Sequence, residues 1–86
     1  MMYPYMTFPD NTEVCHSQLL ENGTLVVHFE RPTEHGFDSA RCRLPDYEWI
    51  AREGYSAEEI KAFEDFLKAN AHLFFKFAKS GGISTP

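Results

Sequence analysis

The chain has 86 residues, 43% of them hydrophobic and 24% charged, which describes one globular domain and not a disordered polymer. A domain this small buries roughly 60–65% of its unfolded surface, so its one Trp, four Tyr and eight Phe must supply much of a thin core. A net charge of −5 with scattered basic residues argues against binding to nucleic acid, and no run approaches the ~20 apolar residues of a membrane span.

The first element in chain order is a short strand over residues 3–8, ended by the turn residues Pro9, Asp10 and Asn11. Met6 offers a second translation start beside Met1, and the sequence leaves that choice open. Two alternating runs, 12–20 and 24–31, flank Asn22-Gly23, which predicts a hairpin closed by a two-residue type I′ turn. That register sets Leu20 opposite Leu25, Gln18 opposite Val27 and His16 opposite Phe29, and these residues with Val14 form the core face. Asn22-Gly23-Thr24 also has the form of a glycosylation acceptor, but here it reads as a turn.

Residues 37–44 alternate again, and antiparallel pairing with Cys42 beside Val27 collects the apolar positions on one face and brings Arg31 near Asp38. Residues 47–52 read equally as a strand or an irregular crossover, since Pro45 obscures their start.

The strongest element lies in the last third. Ser56-Ala57-Glu58-Glu59 has the form of a capping box, acids lead, Lys68, Lys76 and Lys79 follow, and Gly81-Gly82 is a stop. Its apolar residues sweep roughly 200° of a helix. One stripe, Ile60, Phe63, Leu67, Ala71, Phe74 and Ala78, suits a sheet. A second, Phe66, Leu73 and Phe77, either meets a loop or the N-terminal residues 1–8, or forms an interface for self-association or a protein partner. Asn70 falls inside the apolar arc, which suggests a helix kinked or split there.

The expected fold is therefore α+β: an antiparallel meander of three to four strands with one face packed by the C-terminal helix, a single domain over 1–80 and a tail over 81–86.

The candidate chemistry is sparse. Cys15, His16, His28, His35, Cys42 and His72 show no paired Cys-x-x-Cys or His-x-x-x-His spacing, and the hairpin register separates His16 from His28 and Cys15 from Cys42, so neither a metal nor a cofactor is expected. Cys15 and His16 are strand neighbours that point to opposite faces and cannot form a dyad. Tyr47, Trp49 and Tyr55, with Asp46, Glu48 and Glu53 around them, make a candidate ligand pocket for a sugar or cation; the competing reading is that these rings cover the end of the core. No phosphate-binding glycine loop or serine elbow is present, so no catalytic residue is assigned. The N-terminus lacks the basic-then-apolar order of a secretory signal, which makes a cytoplasmic protein with free thiols the expectation.

The runs TEVCHSQLLENGTLVVHFERP, GFDSARCRLPDYEW and EEIKAFEDFLKANAHLFFKFAKSGG together resemble a small bacterial protein family of about this length that has no established activity. The resemblance covers nearly the whole chain from Met6 and implies a bacterial cytoplasmic origin. Size, charge and the wide helix face point to a non-catalytic interaction module that self-associates through Phe66, Leu73 and Phe77, or alternatively to an acidic, antitoxin-like partner of a basic protein, or to a small-ligand binder using Tyr47, Trp49 and Tyr55.

Overall fold

Alternation along five segments and a 3.6-residue period along the sixth set the architecture. A computed structural model describes residues 2–80. The elements are β1 (Met2–Thr7), β2 (Glu13–Ser17), β3 (Leu25–Thr33), β4 (Gly36–Leu44), β5 (Glu48–Glu53) and α1 (Ala57–Ser80). The strands form one antiparallel sheet in the order β1-β2-β3-β4-β5, a simple meander, and α1 packs on one face. The tail expected at 81–86 lies outside the described residues.

Five strands replace the three to four expected. The segment left open, β5, pairs with β4 through Cys42 and Trp49, and Pro45 sits in the preceding turn, where its missing N–H costs the ladder nothing. β3 and β4 pair as anticipated, with Val27 opposite Cys42 and Arg31 opposite Asp38.

The β2–β3 hairpin differs in its turn. Gly23 takes φ +80°, while Asn22 is not among the residues with positive φ, so the two-residue type I′ turn is not formed. Instead the Gly23 N–H donates to Leu20 O and the Leu20 N–H to Thr24 O, closing a three-residue loop. A second irregularity follows, where the Val26 N–H donates to the Ser17 hydroxyl. Together they move the register by two residues, to His16 opposite Val27 and Val14 opposite Phe29. A shift of two preserves every side chain's face, so Val14, His16, Val27 and Phe29 stay in the core while their partners change, but Gln18, expected on the core face, lies past the end of β2 and is exposed. Leu20 loses its expected core place and is 41% exposed.

The buried core is Val14, Leu25, Val27, Phe29, Ala40, Cys42 and Leu44 from the sheet, against Ile60, Phe63, Leu67, Phe74 and Ala78 from α1. At its centre the Phe29 and Phe63 rings stack with centroids 4.2 Å apart and 4° between planes. His16, fully buried on the same face, donates from Nδ1 to Ser17 O at 2.8 Å, while its Nε2 has no hydrogen-bond partner among the described residues.

α1 is one continuous helix; the kink or split expected at Asn70 does not occur. The Asn70 amide is satisfied without one: Nδ2 donates to Phe66 O at 2.9 Å, one turn back, and Oδ1 accepts from the Tyr5 hydroxyl at 2.8 Å. The capping box forms reciprocally, with the Glu59 N–H donating to Ser56 Oγ at 3.1 Å and the Ser56 N–H to Glu59 Oε1 at 3.0 Å.

Candidate functional site

Three places carry more than packing. The first is the flank of α1 with the stripe Phe66, Leu73 and Phe77. Tyr5 enters it from a bulge in β1 and lies 4.3 Å from Phe74 and 6.1 Å from both Phe66 and Phe77. Phe8 meets Phe66 edge-on at 5.0 Å. Phe66 is thus packed against the core, Phe77 borders Tyr5, and Leu73 stays half-buried at the margin.

The second is the end of the sheet near Tyr47, Trp49 and Tyr55. All three are half-buried and packed against the core, each with a different neighbour. Trp49 lies 6.0 Å from Phe29 and donates its Nε1–H to Glu64 at 2.8 Å. Tyr55 stands edge-on to Phe63 at 4.9 Å, with its hydroxyl 3.3 Å from Thr12 Oγ1. Tyr47 takes φ +56°, uncommon for a bulky residue, and its ring lies 5.9 Å from Lys68 Nζ. Of the acids around them, Asp46 and Glu48 both pair with Arg43.

Beside Tyr55 is an ion cluster that sequence reading found only in part. Arg31 donates to Asp38 Oδ2 from Nε and Nη2 at 2.9 and 2.7 Å, to Glu59 at 2.7 Å and to Asp10 at 3.1 Å, and its guanidinium lies 4.7 Å over the Tyr55 ring. Gly54, at φ +86°, passes so close that a Cβ there would collide with the Asp38 carboxylate. Glu59 is held below its ordinary range, first by the Ser56 backbone N–H and then by Arg31. For Asp10, burial pushes upward but is outweighed by Thr12 and Arg31, and the result is also a lowered value. One cation therefore ties the β1–β2 turn, the β3–β4 ribbon and the start of α1. Only the Arg31–Asp38 rung was legible, because Asp10 and Glu59 are 21 and 28 residues away in sequence.

The third place is the sheet face away from α1. Register sets its side chains in rows. One row holds Glu13, Glu30, Ser39 and Glu53, and the next Pro4, Cys15, His28, Arg41 and Ala51. Glu13, Glu30, Glu53 and Arg41 make no hydrogen bond or ion pair among the described residues. At the far end of the β3–β4 ribbon Phe37 pairs with Pro32 and is 65% exposed; Ile50, in the β5 bulge opposite Arg41, is 51% exposed. Both edges of the sheet are irregular: β1 carries Pro4 and a bulge, β5 a bulge, and such features discourage strand addition.

The corrected hairpin register has a chemical consequence here. It sets Cys15 directly opposite His28 and Glu13 directly opposite Glu30, a grouping that the two-residue turn would not have formed. Met2 and these four residues line one concavity of about 90 Å³, and a neighbouring one of about 230 Å³ runs along the β1 bulge past Glu13 and Cys15. Burial, then Glu13 and Glu30, push the Cys15 thiol up, so it is protonated and a poor nucleophile. Burial, then Arg41, push His28 down against the opposing pull of Glu30. Cys42, inside the core, is pushed up to about 12 by burial and behaves as a small apolar residue.

As they stand, no three His, Cys, Asp or Glu side chains among the described residues are arranged to hold a metal ion. Among the described residues no helix is long and apolar enough to cross a membrane. Comparison with protein-family models, with curated proteins and with solved structures gives no match for this chain.

Proposed function

We propose that this protein is a non-catalytic protein-binding module of the bacterial cytoplasm whose docking surface is the uncovered face of the sheet. One observation carries the reading: α1 covers one face of a five-stranded sheet, and the other presents Phe37 and Ile50, the two most exposed large apolar side chains among the described residues, beside a row of carboxylates that have no ion-pair partner among those residues. Large apolar anchors next to unpaired charge are what a protein interface uses for affinity and for orientation respectively. The row Glu13, Glu30 and Glu53 selects a basic partner, in keeping with the net charge of −5. Two copies meeting face to face through this surface would bring like charges together, which disfavours self-association by this route.

The test is a titration of the ¹⁵N-labelled protein with a lysine- and leucine-rich amphipathic peptide. Shifts confined to outward positions of β2 to β5, weakened by salt and by Phe37→Ser or Glu30→Lys, support the reading. Shifts confined to α1, or binding indifferent to both substitutions, would sink it.

A second reading keeps self-association through the flank of α1. It is favoured by half-buried Leu73 and Phe77, which are not among the residues packed against the buried core. Light scattering at two concentrations decides it: a dimer that Leu73→Asp converts to a folded monomer supports it, and a monomer at both concentrations removes it.

A further inference from the structure

We propose that Asn22 is a site of self-modification: in the folded protein the Gly23 backbone nitrogen attacks the Asn22 side-chain amide, activated by Thr24, and converts the residue to aspartate or isoaspartate. Asn-Gly is the pair in which this attack is least hindered, because glycine presents no Cβ beside the attacking nitrogen. Beyond the chain neighbours, no heavy atom lies within 4 Å of where a Gly23 Cβ would stand, so the space beside the nucleophile is open. Asn22 and Gly23 are both exposed at the loop tip, where water for the second step is at hand.

The loop also activates the amide carbonyl. Asn22 Oδ1 accepts from the Thr24 hydroxyl at 2.7 Å and from the Thr24 N–H at 3.2 Å. A backbone N–H only donates, so this pairing fixes which end of the amide is oxygen. Both donors face the atom on which negative charge develops when the carbonyl is attacked, an arrangement that stabilises a tetrahedral intermediate. Asn22 Nδ2 makes no hydrogen bond among the described residues, so the leaving group is not held back. The Gly23 N–H donates to Leu20 O at 2.9 Å, and that bond must open before the nitrogen attacks. An exposed loop bond opens at little cost, and Leu20 is itself 41% exposed.

The conversion needs no reagent but water. The Gly23 N–H proton passes to base, the nitrogen bonds to Asn22 Cγ, and the Cγ–Nδ2 bond breaks as ammonia leaves. Water then opens the succinimide at one carbonyl or the other, giving aspartate or isoaspartate, and either product adds one negative charge. Isoaspartate also routes the main chain through the side-chain carbons. That lengthens the loop whose Gly23–Leu20 and Leu20–Thr24 bonds close the β2–β3 hairpin, so this product loosens the hairpin end.

The experiment is incubation of the whole chain at neutral and at mildly alkaline pH, followed by peptide mass mapping. The expected result is replacement of –NH₂ by –OH at Asn22, faster in proportion to hydroxide. Isoaspartate is read as resistance to a protease that cuts before aspartate, and amide exchange at Leu20 and Gly23 quickens in that fraction. Thr24→Val removes the hydroxyl donor and slows the conversion about two- to tenfold, the worth of one hydrogen bond. Thr24→Ser keeps the hydroxyl and the rate. Asn22→Gln, which would have to close a larger ring, does not convert. Unchanged circular dichroism in these loop variants guards against effects of unfolding. No conversion at Asn22 in the folded chain, over a period in which the urea-unfolded chain converts, overturns the proposal. Equal rates in wild type and Thr24→Val overturn it as well, since the fold then does nothing to activate the amide.

Discussion

The two faces of the sheet come from one alternation and end in opposite conditions. On the helix side, polar groups are few and nearly all are answered: Asn70 by Tyr5 and Phe66, Thr12 by Tyr55, Trp49 by Glu64. On the other side, Glu13, Glu30, Glu53 and Arg41 have no bonded partner among the described residues, and Phe37 reaches into solvent. Water satisfies an exposed charge at no cost, so an open face tolerates what a core cannot. The lesson is that stability is concentrated on the covered face, which leaves the open face free to be specified by a partner or ligand.

The comparison is broken most severely at the core. Phe29→Ala removes a fully buried ring stacked on Phe63, and a loss of about 3–5 kcal/mol is expected, measured by urea unfolding. The same substitution at Phe37, also in the β3–β4 hairpin but on the open side, is expected to change stability by less than about 0.5 kcal/mol. Equal losses at the two positions would mean that the open face is not open in solution.

The next test concerns the clamp that joins the two layers. Arg31→Met is expected to cost about 1–2 kcal/mol, a figure discounted for the partial exposure of its partners. Its pH dependence has a definite sign. Asp10 and Glu59 are held below their ordinary values, so their contribution is complete above the ordinary carboxylate range. It is lost as pH falls through the lowered values. The difference in melting temperature between wild type and Arg31→Met should therefore shrink between pH 6 and about pH 3. A constant difference would show that Arg31 acts by packing alone. A smaller effect, about 1 kcal/mol, is expected for Tyr5→Phe, which leaves Asn70 Oδ1 without its donor; a double-mutant cycle with Asn70→Ala isolates that bond.

Much of the covered face was legible in the sequence, because alternation and helical period report burial directly. The alternation places Val14, Leu25, Val27 and Phe29 in the core, and the capping box and the Arg31–Asp38 rung follow from local spacing; all are present in the structure. What failed was local backbone choice. Asn22 declined the left-handed conformation that a type I′ turn requires, and the resulting two-residue slip is invisible to a pattern of period two. Asn70 looks like a break in the sequence because its partner, Tyr5, lies 65 residues earlier and enters through a bulge that no periodicity announces. The Cys15–His28 and Glu13–Glu30 rungs were missed for the same reason as the turn: faces survive a shift of two, partners do not.

That missed pairing supplies the smallest and most discriminating prediction. Glu30→Lys replaces a directly opposed like pair with an opposite one, and a gain of about 0.2–1 kcal/mol at low salt is expected, fading as salt is added. A covered-face residue rarely improves on substitution, whereas this open-face residue should, because its present neighbour repels it. The sign of the change separates two explanations of the rung. A gain in stability accompanied by loss of peptide binding means that Glu30 sits opposite Glu13 for a partner's benefit, at the expense of the fold. A loss of stability means that Glu30 already has a stabilising role on the open face, and the contrast between the two faces is then less sharp than the geometry suggests.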